Sequence, residues 1–363
     1  MIVIGVDAHK QTHTLAAVRE ATARQIDGRT VRARDDGLVG MLAWGRSLEA
    51  EGGRRVWAVE DCRHVTGRLE RFLIAHGERV VRVAPHLTGG ARRGSREPGK
   101  SDPIDALAVA RAAIRDGVET LPTAHLDAQA LEIRQLSDHR ERLVGQRTAL
   151  INDLRWHLHD LDASFEVPPR RLTLTSWQDR TAKLLHALTS TAQVRVARDE
   201  LARVRELSSA IKALHNELEE LVKSYRPALL RMPGCGPLTA AKAIGQTAGA
   251  QRFQTAAKFA KITGTAPIPA SSGNNKRHRL NPGGNRQLNA TLHRIAVTQL
   301  RVHPPARAYL DKKLAEGKTY REAIRCLKRQ LANTVWALLQ PNPSTVRSRH
   351  LAPVAIHCNK PLP

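Results

Sequence analysis

The run Lys100-Ser101-Asp102-Pro103-Ile104-Asp105-Ala106 places two carboxylates three residues apart at the head of an apolar stretch that continues to about Arg115. Residues i and i+3 share a helix face, so Asp102 and Asp105 can aim at one point. Two more acids, Asp7 and Glu60, each close a short β-branched run, at residues 2–6 and 56–59. Four carboxylates on separate elements suit a pair of Mg²⁺ ions, hard cations that prefer oxygen ligands, with Mn²⁺ as the alternative. Two such ions about 4 Å apart clamp the attacking and leaving oxygens of a phosphoryl transfer. A plainer role is open to the same residues. Asp102 as a helix N-cap, Pro103 at the first helical position and Asp105 two further on resemble a capping box. Capping leaves unexplained the cations just ahead, Arg92, Arg93, Arg96 and Lys100, and the acids at the other two strand ends.

A second stretch carries nucleophile chemistry. Ser271-Ser272-Gly273-Asn274-Asn275 is followed by Lys276-Arg277-His278-Arg279, then by Asn281-Pro282-Gly283-Gly284-Asn285-Arg286. Serine is a weak nucleophile at its ordinary pKa and needs a base or strong electrophilic help. Metal ions and guanidiniums can stabilise the charge on an attacked phosphorus. Ser-Ser-Gly is also common turn material, so this role stays open beside the chemical one. His9, His278 and His293 show no metal-ligand spacing and read as phosphate contacts or packing.

These residues need elements to hold them. The periodicity predicts strands at residues 2–6, 12–18, 30–33, 56–59 and 80–83, with Asp27-Gly28 as a hairpin signal. Helices are predicted at 38–48 and 65–75, the latter stopped by Gly77. A basic loop follows Pro85 and leads into the Asp102 helix. This is a mixed α/β order, and acids at strand ends match the rule that α/β sites form outside the carboxyl ends of strands. The middle is helical. Leu136, Leu143 and Leu150 recur every seven residues, and Val204, Leu207, Ile211, Leu214, Leu218 and Leu221 alternate steps of three and four. That seam predicts an antiparallel helical hairpin or an inter-subunit coiled coil. From Arg231 the chain changes character. Pro233-Gly234-Cys235-Gly236-Pro237 reads as a tight turn into a helix, half of a helix-hairpin-helix whose backbone N–H groups can hold phosphate. Further helices are predicted at 253–262, 287–301 and 327–339, with a flexible tail at 341–363.

Composition narrows the partners. The 363 residues hold 58 Lys+Arg against 34 Asp+Glu, a formal charge of +24. Such an excess is the electrostatic footprint of a nucleic-acid-binding protein. Aromatics make up only 3%, against base stacking as the main binding mode. The four cysteines form no C-x-x-C pair, against a disulfide framework or a cysteine zinc site, and a reducing cytoplasm fits. No apolar run reaches membrane-spanning length, and no signal peptide is read at the N-terminus.

Taken together, Asp7, Glu60 and the Lys100–Ala106 run resemble the DEDD signature of the one-ten family of bacterial insertion-sequence transposases, also described as bridge-RNA-guided recombinases. The second half is similar to that family's C-terminal domain in order and spacing. Pro233-Gly234-Cys235-Gly236, the segment 253–264, Ala266-Pro267, Ser271-Ser272-Gly273 and Gly284-Asn285-Arg286 carry the likeness, which spans roughly residues 2–340. It implies an α/β RNase H-like (RuvC-like) domain at 1–125, a helical coiled-coil arm at 126–226 and a mainly α transposase domain at 227–340. It implies metal-bound Asp7, Glu60, Asp102 and Asp105, and Ser272 as a nucleophile that links covalently to DNA. Arg92, Arg93, Arg96, Lys100, Lys276, Arg277, Arg279 and Arg286 would contact nucleic acid. Donor and target DNA, a structured guide RNA and a dimeric or tetrameric assembly complete the expectation, with work at the nucleoid in the bacterial cytoplasm and no membrane. Asp61 rivals Glu60, because the family more often has a small, Gly-containing run after the acid, and Ser271 rivals Ser272. The competing classes are a RuvC-like junction nuclease that uses metal-activated water, and a non-catalytic basic nucleic-acid-binding protein.

Overall fold

The computed structural model describes residues 1–48, 54–60, 63–93, 101–124, 127–270 and 278–341. The chain divides into two compact units. One holds Met1–Leu126 with Gln251–Gln254; the other holds Asp127–Ala250 with Thr255 onward.

In the first unit, β1 (Ile2–Ala8), β2 (Thr12–Arg19) and β3 (Arg24–Arg32) form an antiparallel meander, and β4 (Arg55–Glu60) and β5 (Val80–Val83) extend it in parallel. The strand order is β3-β2-β1-β4-β5. Side chains alternate across the sheet, which sorts the core into two layers. Ile4, Val6, Trp57 and Val59 face one layer, with Leu38, Met41 and Leu42 of α1 (Asp35–Ser47) and Leu69 and Leu73 of α2 (Arg63–Ala75). Val3, Val56, Ala58, Val81 and Val83 face the other, where Val109, Ala110, Ala112 and Ala113 of α4 (Asp102–Asp116) pack. The fully buried Trp57 would strand its indole N–H, but that group donates to Glu78 Oε2 at 2.9 Å.

Two sequence expectations change here. Asp27-Gly28 is not the hairpin turn; β3 runs straight through it. The chain reverses before Arg24, where Ala23 takes a left-handed φ of 52°. Asp27 is engaged instead, accepting from Gly28 N and from Trp44 Nε1. The segment read as a basic loop after Pro85 begins as α3 (Pro85–Arg93), with Pro85 at its head, where a missing N–H costs nothing.

The second unit is mainly helical. α5 (Ala128–Leu161) and α7 (Ala192–Tyr225) each run 34 residues, joined through α6 (Thr175–Ala187). They are antiparallel. Tyr225 hydrogen-bonds Asp127, Arg147 Nη1 donates to Ser208 Oγ at 3.2 Å, and Gln193 Nε2 donates to Asp160 at 2.7 Å. Val204, Ile211 and Leu218 of the predicted seam are buried, but Leu136, Leu143 and Leu150 are only half-buried. The α5 face is shared, because α8 (Pro237–Thr247) packs on it as well as α7. Lys242 of α8, nearly fully buried, reaches Asp138 at 3.0 Å and Glu141 at 2.8 Å on α5.

The rest of the unit comprises α9 (Ala256–Ile262), a short β6 (Ile268–Pro269) and β7 (His278–Arg279) ribbon, α10 (Arg286–Val302), α11 (Pro304–Ala315) and α12 (Tyr320–Leu338). α11 lies where no helix is predicted, and the two prolines Pro304 and Pro305 open it, at positions where a missing N–H is tolerated. α12 starts earlier than expected, on a capping box formed by Thr319 and Glu322. Gly264, at φ 66°, and Gly284 sit back to back. A Cβ on Gly284 would lie 2.2 Å from Gly264 N, so only glycine lets the two strands of chain meet. Residues 342–363, expected to form a tail, lie outside the described residues.

Candidate metal centre

The parallel pairing of β1 and β4 matches Val6 to Val59, so Asp7 and Glu60 follow side by side at the carboxyl ends of adjacent strands. Alternation turns both toward the layer that α4 covers. α4 can come that close because β1 carries Gly5 beneath it. A Cβ there would sit 2.1 Å from Ala106 O and 2.6 Å from Ala110 N. The helix start, with Asp102 and Asp105, is thereby brought to the end of β1.

Asp102 is not the N-cap. Ser101 holds that position without a side-chain cap bond, which puts Asp102 at the first helical residue and Pro103 at the second. Asp102 is half-exposed, and its carboxylate meets a residue that sequence reading left out of the site. His9 Nε2 stands 3.0 Å from Asp7 Oδ2 and 3.6 Å from Asp102 Oδ1. Single ligand atoms of Asp7, His9 and Asp102 all fall within 4.8 Å of one another. The tight turn between β1 and β2, closed by His9 N donating to Thr12 O, sets the imidazole there. The Asp-x-His spacing of residues 7 and 9 was the available signal; its meaning depends on how the turn folds.

Burial pushes the Asp7 carboxyl above its ordinary value; His9 opposes this, and Asp105 and then Asp102 add to it. Asp105 therefore belongs to the same electrostatic cluster. Glu60 has a different immediate partner: Thr88 of α3 donates to its Oε1 at 2.5 Å. Oxygen donors and one imidazole around a carboxyl that resists ionisation form a donor set that fits a divalent cation, since the cation relieves the repulsion among the acids.

The other expected site residues are scattered. Arg92 and Arg93 lie in the last turn of α3. Arg279 is exposed in β7, and Arg286 opens α10, whose cap Asn285 accepts from Gln287 N and Leu288 N. Asp61, Arg96, Lys100, Ser271, Ser272, Lys276 and Arg277 lie outside the described residues.

This strand order, with acids at the ends of the adjacent parallel strands β1 and β4 and at the facing helix, is an RNase H-like arrangement, and its acid set points to divalent-metal dependence. A DEDD-type transposase family matches residues 4–161, and the transposase family IS116/IS110/IS902 matches residues 226–311. The chain belongs to this IS110, or one-ten, family of bacterial insertion-element transposases, and is a DNA transposase enzyme. It is 28% identical to an uncharacterized 42 kDa protein of insertion element IS900 from Mycobacterium paratuberculosis, over 93% of this chain and 95% of that one. It is 26% identical to an uncharacterized 44.8 kDa protein of insertion element IS116 from Streptomyces clavuligerus, over 93% and 94%. T. thermophilus RuvC, solved with a Holliday junction substrate, covers 34% of this chain and 99% of its own at 18% identity and a TM-score of 0.27. Among the described residues no helix is long and apolar enough to cross a membrane.

Proposed function

We propose that this transposase moves its element by strand exchange through a phosphoserine–DNA link. The observation that carries this is the convergence of Asp7, His9 and Asp102 beside Asp105, at the carboxyl end of the central strand β1, whose neighbour β4 ends in Glu60. Asp7, Asp102 and His9 would hold a divalent cation, Mg²⁺ being the natural choice for carboxylate oxygens, and Asp105 and Glu60 would complete a two-ion site. Bound there, the cations polarise a DNA phosphate and stabilise the charge of its displacement.

The chain's own residues supply the rest. The ladder Ile268↔Arg279 and Pro269↔His278 pairs the chain before and after the Ser272 segment, and the Gly264–Gly284 contact lies beyond it on both sides. Ser272 Oγ attacks the phosphorus, a P–Oγ bond forms, and the bond to the leaving sugar oxygen breaks. The serine proton is balanced by the hydroxyl that this oxygen becomes. Rejoining reverses the step with a different hydroxyl, so bond energy is retained. Arg279 and Arg286, with Lys276, Arg277 and the cations preceding Asp102, would track the backbone. The helix-hairpin-helix-like turn at Gly234, which enters α8 at Pro237, would add backbone N–H groups. A protein rich in phosphate-binding cations and poor in aromatics suits delegation of sequence choice to a structured RNA paired with donor and target DNA. The long α5–α7 arm suits assembly into a dimer or tetramer acting on nucleoid DNA in the cytoplasm.

The test is a trapping reaction on nicked DNA with Mg²⁺, denatured and scored for DNA that migrates with protein. Wild type should form the adduct, Ser272→Ala should not, and Ser271→Ala should. Cleavage without any adduct would replace the serine mechanism by a water-using nuclease. RNA bound to the purified protein should be enriched in one species encoded beside the gene rather than a random cellular mixture.

A further inference from the structure

The second unit contains a cavity of about 590 Å³ bounded by the Gly264–Pro267 turn, the β7 end of the hairpin, α11 and α12. Six cations line it against two carboxylates, Glu316 and Glu322. Both carboxylates are already engaged. Glu316 pairs with Lys313 at 2.7 Å, and Glu322 closes the α12 capping box, with Arg325 3.6 Å away. Neither is left to neutralise the deepest cation, Lys328.

Lys328 is only 7% exposed. Its Nζ donates to Asn289 Oδ1 at 2.5 Å, and no carboxylate pairs with it among the described residues. Asn289 is itself fixed, its Nδ2 donating to Thr263 O at 2.8 Å. Burial and the neighbouring Arg325 both push the Lys328 ammonium toward neutrality. An ammonium this far from water is costly unless paired or well hydrogen-bonded. One neutral amide satisfies one of its three protons. A buried cation facing a cation-lined cavity is the arrangement an anion completes.

We propose that this cavity is a phosphodiester-binding subsite, in which Lys328, flanked by Arg325 and Arg329, grips a backbone phosphate of the DNA strand as it passes the β6–β7 hairpin. The volume is that of a pocket for one nucleotide rather than a flat basic face. The assignment to DNA rests on the proposed function, because β7, which lines the cavity, follows the Ser272 segment in the chain. The phosphate subsite itself does not depend on whether that serine reacts.

The experiment pairs two readouts on the full-length protein. The first is the melting temperature as inorganic phosphate is titrated at constant ionic strength. The second is the affinity for a short single-stranded DNA, and for the RNA of the same sequence, across a salt series. Lys328→Met removes the buried charge at similar volume, Lys328→Arg keeps it, and Arg325→Gln alters a more exposed neighbour should the first variant fold poorly. Wild type should gain melting temperature with phosphate; Lys328→Met should lose that response, and Lys328→Arg should retain most of it. DNA affinity should fall about tenfold in Lys328→Met, with the log–log salt slope shallower by about 1, and fall less in Arg325→Gln. Unchanged DNA affinity and phosphate response in Lys328→Met overturn the subsite. A loss confined to RNA overturns its assignment to the DNA strand. Loss of DNA binding in Lys328→Met, together with a wild type that forms no covalent adduct, keeps the subsite and refutes the serine mechanism instead.

Discussion

His9 Nε2 lies 3.0 Å from Asp7 Oδ2, on a turn that also brings it within 3.6 Å of Asp102. The imidazole thus bridges the end of β1 and the start of α4, the two elements that carry the candidate metal site. If it is a ligand, His9→Ala should reduce the rise in melting temperature caused by Mg²⁺ or Mn²⁺ and slow DNA cleavage by about tenfold or more, in line with the loss of a metal-site group. A histidine that only touches phosphate would leave the cation response intact. Calorimetric melting with and without cation distinguishes them.

Asp102→Asn should eliminate strand cleavage at little cost to folding. Asp102 is the first helical residue and not the cap. Its loss therefore removes a favourable charge from a helix N-terminus, about 0.3–1 kcal/mol. A fully active variant would show that the carboxylate serves the helix and not the cation. Cleavage rate and urea denaturation on the same preparation settle the point.

The raised Asp7 pKa sets a pH dependence with a definite sign. The folded carboxyl holds its proton to higher pH than the unfolded one. Between the unfolded and folded pKa values the native state binds more protons, so cation-free protein loses stability as pH rises through that window. Added divalent cation should remove this loss, and apparent cation affinity should climb with pH until Asp7 is ionised. Asp7→Asn should abolish the dependence and slightly stabilise the cation-free form. Melting curves across the acidic range, with and without cation, measure it.

Gly5→Ala should be among the most damaging single substitutions in the first unit. The added Cβ would fall 2.1 Å from Ala106 O, a backbone atom that cannot swing aside. Moving α4 away should cost about 3 kcal/mol and shift Asp102 from Asp7, so stability and cation response should fall together. Thermal unfolding of the variant, with and without cation, provides the check. A variant with normal stability would mean that α4 does not need this close contact.

The sequence by itself determined the class of chemistry. A β-branched run ending in Asp7, another ending in Glu60 and an Asp-Pro-Ile-Asp helix start are local patterns, and local patterns fix strand ends and helix starts. The same holds for charge: an excess of 24 positive charges needs no fold to attract phosphate. The places where local signals competed were decided by packing. Asp27-Gly28 looked like a turn, but Asp27 is held by Trp44 and the reversal falls earlier, at Ala23. Asp102 looked like a cap, but the helix begins one residue sooner, at Asp102 itself, with Ser101 in the cap position. The heptad leucines of α5 looked like one continuous seam, but α8 takes a share of that face.

What only the tertiary structure decided is which groups meet. His9 and Asp102 are far apart in sequence, and nothing local relates them. They converge because Gly5 has no side chain to hold α4 off the sheet. Lys328 is likewise an ordinary helix lysine by sequence. Its burial beside Asn289, with no carboxylate in reach among the described residues, follows from how α10 and α12 pack. Spacing along a chain specifies faces of single elements, whereas a binding site is assembled from faces of different elements. The contact between them is set by the volumes of the residues in the interface.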